Sequence, residues 1–193
     1  MVTNNYALFP TLVQEIPDFL TDIECDVIVE NIDHSRLIDH NALVGNGSSS
    51  HSARWHSELD FIDLSIPLKQ RLINAFDGYC KTSGFSEVYI TNSWVNIQKV
   101  GSQLKFHSHP HSVISCALYL YADEKSSPIT FKTPNPFNSY TDIETLTDYT
   151  YEWYTLIPKT GKLIIFPSWL IHGSHGINES EQRIVLSVNT GLK

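Results

Sequence analysis

The chain has 193 residues, of which 41% are hydrophobic, 11% aromatic and 18% charged. This composition excludes a disordered or coiled-coil protein and suits one domain, residues 1–193, with a substantial core. The net charge of −8 disfavours nucleic acid and anionic membrane as partners, because both are held by basic surface. Cys25, Cys80 and Cys116 are odd in number, widely spaced and free of any CxxC pattern. They suggest neither a disulfide framework nor a thiolate zinc site, and read as buried thiols in a reducing cytosol. No apolar run approaches the ~20 residues that span a bilayer, and Met1–Tyr6 lacks the basic and apolar regions of a signal peptide. A soluble, cytoplasmic protein is expected.

In chain order, Tyr6–Pro17 alternates apolar residues between two prolines and predicts a short edge strand. Thr21-Asp22-Ile23-Glu24 is a capping-box pattern, and Ile23, Val27, Ile28 and Ile32 mark the apolar face of the helix it opens. Residues 45–52, Gly-Asn-Gly-Ser-Ser-Ser-His-Ser, read as a mobile surface loop, with a lid over a site as the alternative. Trp55 and His56, just beyond it, are weak candidates to face a substrate. Ser65-Ile66-Pro67 predicts a second helix start; Leu68, Leu72, Ile73, Phe76 and Cys80 keep helical spacing up to Gly84, which suits a C-terminal cap.

From Glu87 to the end the pattern becomes short β-rich runs between turn residues. The predicted strands are Val88–Gln98, Gln103–His109, Val113–Tyr121, Pro128–Lys132, Tyr151–Ile157, Lys162–Phe166 and Ile184–Asn189. Frequent short strands without intervening helices imply an antiparallel sandwich or barrel. Thr133–Thr150, with Pro134 and Pro136, is a long loop of the kind that is often functional or mobile.

Three of the nine histidines fall in Phe106-His107-Ser108-His109-Pro110-His111. Imidazole is the commonest protein metal ligand, and residues i and i+2 of a strand share a face, so His107 and His109 converge if this stretch is extended. Trp169-Leu170-Ile171-His172-Gly173-Ser174-His175 offers a third ligand. His111 rivals one of the first pair, and a carboxylate from a distant loop is a further alternative.

Trp94-Val95-Asn96, His107-Ser108-His109-Pro110, Ser115-Cys116-Ala117-Leu118-Tyr119, Gly161 to His172 (GKLIIFPSWLIH) and Arg183-Ile184-Val185-Leu186-Ser187-Val188-Asn189 follow one another in this order. In these ordered blocks the chain resembles a family of Fe(II) and 2-oxoglutarate dependent oxygenases. The resemblance implies a mainly β chain on a double-stranded β-helix (jelly-roll, cupin-like) scaffold, with residues 1–86 as supporting strand and helices and 87–193 as the core. It implies Fe(II), 2-oxoglutarate and O2 as cofactors and release of succinate and CO2. His107, His109 and His172 would hold the iron. Arg183, whose planar fork matches a carboxylate bidentately, would bind 2-oxoglutarate with help from Tyr119 and, more weakly, Asn96. Two departures stand out: Cys116 occupies a position where the family usually has glycine, and H-x-H replaces the H-x-D or H-x-E of the wider superfamily.

Alternative functions at this level are a three-histidine, cupin-like dioxygenase without 2-oxoglutarate, a non-catalytic jelly-roll binding protein, and a zinc hydrolase, which lacks a nearby general base in these motifs. Arg183 and Tyr119 discriminate, because the first reading needs both facing the metal pocket and the cupin-like one needs neither. The substrate, a small molecule or a protein side chain, and the oligomeric state are not encoded in any motif.

Overall fold

The structure, a computed structural model, describes residues 2–51, 61–136, 141–147 and 149–193. Trp55 and His56 lie outside them, as do Ser52 and parts of the 133–150 stretch. The elements run β1 (Gln14–Ile16), α1 (Asp22–Glu30), β2 (Leu43–Val44), β3 (Gly47–Ser49), α2 (Ile66–Ser83), β4 (Val88–Gln98), β5 (Gln103–Leu104) and β6 (Ile114–Tyr121). They continue with β7 (Ile129–Lys132), β8 (Trp153–Leu156), β9 (Leu163–Pro167), β10 (His172–Gly173) and β11 (Arg183–Leu192). Two antiparallel sheets result, a major one in the order β1-β9-β6-β11-β4-β3 and a minor one in the order β10-β7-β8, with β2 and β5 as a separate pair. This is a double-stranded β-helix with its helices on one outer face.

Alternation along the central strands explains both faces of the major sheet. Cys116, Leu118 and Leu120 of β6, Ile184, Leu186 and Val188 of β11, Val95 and Ile97 of β4, and Leu163 and Ile165 of β9 pack with Leu68, Leu72, Phe76 and Tyr79 of α2. The intervening Ala117, Tyr119, Val185, Ile164 and Phe166 turn the other way and meet Ile129 and Phe131 of β7. Burial on both faces is why these strands read as nearly continuous apolar runs. Each fully buried Leu, Ile or Phe contributes about 1.5–3 kcal/mol.

Both helices start where their capping residues predict. The Thr21 hydroxyl accepts from the Glu24 N–H while the Glu24 carboxylate accepts from the Thr21 N–H; Ser65 caps α2, and Gly84 ends it in the left-handed conformation at φ 76°. The buried face of α1 keeps Ile28 and Ile32 of the expected four but not the other two. Ile23 and Val27 are 76% and 54% exposed, and Cys25, with Ile28, Val29 and Ile32, faces the sheet instead. Positions 25, 28, 29 and 32 form an equally regular helical stripe, and docking on β6 selected it.

Three other expectations are corrected. Only Gln14–Ile16 of the predicted N-terminal strand joins the sheet, through β9, while Tyr6, Leu8 and Phe9 are exposed. Within the predicted loop 45–52, Gly47–Ser49 is the edge strand of the major sheet, paired with Ser49↔Asn96, and Ser49 is fully buried. Small side chains here permit close sheet pairing, and Ser50 exchanges backbone and hydroxyl hydrogen bonds with Val95. Finally, Gln103–His109 is a regular strand only at Gln103–Leu104. Beyond it the backbone is irregular, with an isolated bridge between His107 and His172.

Candidate active site

The inward faces of the major-sheet strands and the 104–112 segment enclose a cavity of about 300 Å³. Into it project Asn92, Trp94 and Asn96 from β4 and Arg183, Val185, Ser187 and Asn189 from β11. These are the alternate residues whose neighbours pack against the helices, so the strand period alone assigns them to one side.

His107, His109 and His172 come together at one end. One ring nitrogen of each lies within 4.8 Å of those of the others, and His109 Nε2 and His172 Nε2 are 3.2 Å apart. Backbone bonding fixes all three in place. His107 N–H donates to His172 O and His172 N–H donates to His107 O, both at 2.9 Å, and His109 N–H donates to Ser168 O. The irregular 105–109 segment thus presents both its histidines to the cavity, as a regular strand would.

Tautomers follow from the carbonyls nearby. His107 Nδ1 lies 2.7 Å from Lys105 O and His172 Nδ1 lies 2.9 Å from Leu170 O. A carbonyl can only accept, so each Nδ1 carries the proton and each Nε2 turns a lone pair toward the other rings. Backbone acceptors of this kind orient metal-binding histidines. Once His109 also turns a lone pair on Nε2 toward them, three neutral imidazoles fit a first-row divalent ion such as Fe(II), and contribute no negative charge to it.

His111 is exposed at φ 65° and stays outside the group. His175 packs against Phe106 and Trp153 on the outer side of the minor sheet, with ring centroids 5.2 and 4.3 Å away. The sequence reading passed over a second histidine pair, His40 and His51, which also lines the cavity. His40 Nδ1 accepts from the Ala42 N–H at 3.2 Å, so its Nε2 carries the proton and donates to His51 Nδ1, again at 3.2 Å. His40 thus uses the opposite tautomer to that of His172. No sequence spacing signals this pair, since β2, β3 and the turn before them bring it together.

Arg183 is 4% exposed and reaches the cavity. Its Nε donates to Ser127 O at 2.9 Å, Nη1 donates to Gln98 Oε1, and Nη2 donates to the Tyr119 hydroxyl at 3.4 Å. A guanidinium has five N–H groups, so one remains on each terminal nitrogen, a pair suited to the two oxygens of a carboxylate. Among the described residues no carboxylate forms an ion pair with it. Tyr119 is fully buried and backs the arginine without lining the cavity, whereas Asn96 lines it. Gln98, opposite Arg183 in the strand register, is the arginine's partner that sequence reasoning missed.

Burial is the leading cause that holds His40, His51, His107 and His172 below the ordinary imidazole pKa, and it brings His109 to about 3. Neighbouring imidazoles add to it for His109 and His172. An unfolded chain protonates these rings near pH 6.5, so below that pH the unfolded state binds more protons than the folded one and stability falls with pH. The chelator-treated protein is expected to lose thermal stability steadily from about pH 6.5 downward; calorimetry giving the same Tm at pH 7 and pH 5 would contradict this.

Gly173 sets how closely β10 approaches the 104–106 segment. A Cβ there would stand 2.9 Å from the Phe106 N and Cα and 3.0 Å from Leu104 O, all backbone atoms. Gly173→Ala is therefore expected to push the two segments apart, loosen the His107–His172 bridge and cost about 1–3 kcal/mol. Thermal unfolding and metal affinity should both fall; an unchanged Tm would refute this close packing.

A family model described as "Putative 2OG-Fe(II) oxygenase" matches residues 92–189, just over half of the chain. No curated protein matches the sequence significantly. Solved structures share the fold at low identity. A viral collagen prolyl hydroxylase from Paramecium bursaria Chlorella virus-1, crystallised with 2OG, aligns with TM-score 0.60 and 15% identity, covering 94% of this chain and 96% of that one. A prolyl-4-hydroxylase from Pseudomonas putida aligns with TM-score 0.61 and 13% identity over 95% and 94%. HygX from Streptomyces hygroscopicus, with nickel and 2-oxoglutarate bound, gives 0.62 and 11% over 95% and 84%. No helix among the described residues is long and apolar enough to cross a membrane. The family match runs from within β4 through most of β11, the part of the chain that carries the three histidines and Arg183, and the chain belongs to the 2OG-Fe(II) oxygenases, enzymes dependent on Fe(II), 2-oxoglutarate and O2.

Proposed function

We propose that His107, His109 and His172 hold Fe(II) through their Nε2 atoms, that Arg183 binds the far carboxylate of 2-oxoglutarate, and that the enzyme hydroxylates a C–H bond of its substrate. The observation that carries this reading is Arg183: a buried cation without a carboxylate partner among the described residues, in the same cavity as three convergent imidazoles. A buried unpaired charge is costly, so an anionic ligand offsets what the fold itself leaves uncompensated. Tyr119, Gln98 and Ser127 O fix the plane of the guanidinium, and Asn96 adds a polar group on the adjoining wall. Residues 1–86 brace the major sheet within one oxygenase domain.

When bound, Fe(II) with 2-oxoglutarate and O2 supplies the oxidative decarboxylation that yields succinate and CO2 and delivers an oxygen atom to the substrate. The chain's own part is to position and to exclude water. Trp94, packed edge-on against His51 and tilted against His109 at centroid distances of 4.7 and 5.6 Å, forms an apolar wall beside the ligands. His40, His51, Asn92 and Asn96 complete a polar but uncharged surface. Such a wall suits a neutral part of the substrate, whether that belongs to a small molecule or to a protein side chain. Three free, buried thiols, Cys25, Cys80 and Cys116, suit a reducing compartment, and we place the enzyme in the cytoplasm.

Anaerobic addition of 2-oxoglutarate to the Fe(II)-loaded protein should produce the visible charge-transfer band of a chelated keto acid. A metal-loaded wild type that gives no such band, and releases no succinate on exposure to O2, would sink the reading.

A further inference from the structure

Asn189, Ser115 and Ser168 belong to the motifs singled out in the sequence, yet neither the iron nor the 2-oxoglutarate reading uses them. In the structure they form one buried chain behind His109. Ser115 Oγ lies 2.7 Å from Ser168 Oγ and 2.7 Å from Asn189 Oδ1, and Asn189 Nδ2 lies 3.5 Å from His109 Nδ1. The placement follows from strand register, since Asn189 of β11 stands opposite Ser115 of β6. His109 also differs from its two companions: among the described residues its Nδ1 meets no backbone carbonyl, only this amide.

The chain can run in two directions. In the first, the Ser115 hydroxyl donates to Asn189 Oδ1 and Asn189 Nδ2–H donates to His109 Nδ1. His109 then carries its proton on Nε2 and gives it to the His172 Nε2 lone pair, 3.2 Å away. In the second, the amide is turned over: His109 Nδ1–H donates to Asn189 Oδ1, Asn189 Nδ2–H donates to Ser115 Oγ, and the Ser115 hydroxyl donates to Ser168 Oγ. The links between His109, Asn189, Ser115 and Ser168 can each be made in either direction, because an amide offers both donor and acceptor and a hydroxyl rotates freely. Only the second leaves a lone pair on His109 Nε2, which a cation requires.

We propose that Asn189 is a positioning residue that switches the tautomer of His109, reversing its amide when a divalent metal binds among the three histidines. The switch consumes and releases no proton, since the ring is neutral in both states and only the site of its N–H changes. It also lets a neutral histidine serve at the second position of the H-x-H pair, with Asn189 holding the ring as Lys105 O and Leu170 O hold its companions. The inference rests on the three-histidine reading.

The test uses the full chain with Zn(II) as a diamagnetic probe and nitrogen-resolved NMR of the imidazoles. In wild type, His109 should carry its proton on Nε2 after chelation and on Nδ1 after Zn(II) loading. Asn189→Asp, which offers acceptors only, should hold the Nδ1–H tautomer in both conditions. Asn189→Leu should lower Zn(II) affinity about 10–100-fold, the range for loss of a group that orients a ligand. An unchanged His109 tautomer in wild type on loading would overturn the proposal without any variant, so misfolding of Asn189→Leu could not mask the result. Wild-type Zn(II) affinity in folded Asn189→Leu would overturn it as well. Failure of the underlying reading looks different, because His109→Ala would then bind Zn(II) as tightly as wild type.

Discussion

His172→Ala is expected to deprive the protein of stoichiometric Fe(II), lowering affinity by more than about 100-fold, beyond the 10–100-fold typical of losing a group that only supports a ligand. His172 is the most buried of the three proposed ligands and is held at ring and backbone, by Leu170 O and by the paired bonds to His107. Alanine keeps that backbone bridge, so the sheet should form and the loss should be confined to the metal. The measurement is metal content after anaerobic loading and desalting, with circular dichroism as the check on folding. His172→Ala retaining one Fe(II) per chain at wild-type affinity would remove the basis for the proposed centre. His111→Ala, at an exposed position outside the group, should retain its iron and serves as the contrast.

Arg183→Ala should separate the co-substrate from the metal. Truncating one partner of a buried, hydrogen-bonded charge pair costs about 2–5 kcal/mol, so 2-oxoglutarate affinity should drop roughly 30- to 3,000-fold at 1.4 kcal/mol per decade. Iron content should hold, because the three histidines hang on backbone bonds that Arg183 does not touch. The same change leaves Gln98 Oε1, Ser127 O and the Tyr119 hydroxyl without their donor, so some loss of thermal stability will accompany it. Arg183→Lys resolves the two effects: it keeps the charge but lacks the planar fork, and should bind 2-oxoglutarate with intermediate affinity. Equal loss of metal and of 2-oxoglutarate in both variants would mean that the arginine only supports the fold.

Much of this arrangement is legible from residues alone where the signal is local. Thr21 with Glu24, and Ser65 with Gly84, mark both helices by satisfying free backbone groups at their ends, and short β-rich runs between turn residues mark β4, β6 and β11. The convergence of His107 and His109 is correctly expected, but for an incomplete reason, because a bridge to His172 replaces a continuous strand. What escapes is what depends on distant partners. Gly47–Ser49 carries no apolar side chain to announce a strand, and only β4 makes it one. The stripe of α1 that faces inward is chosen by the sheet it meets, since two stripes of the helix are comparably apolar. Gln98 and Ser127 O become ligands of Arg183, and His40 becomes the partner of His51, only once the sheets close.

The nitrogen-only character of the proposed donor set also bears on which metal the protein carries in practice. Oxygen donors favour hard ions, whereas imidazole suits zinc, copper, nickel and iron alike, and among first-row divalent ions Fe(II) ranks low in intrinsic affinity. Without a side-chain carboxylate among His107, His109 and His172, little in the first coordination sphere discriminates in favour of iron. Occupancy is then decided by competition and supply. Traces of zinc or nickel should act as tight inhibitors, and the enzyme will be active only where the cell keeps ferrous iron abundant and its rivals scarce.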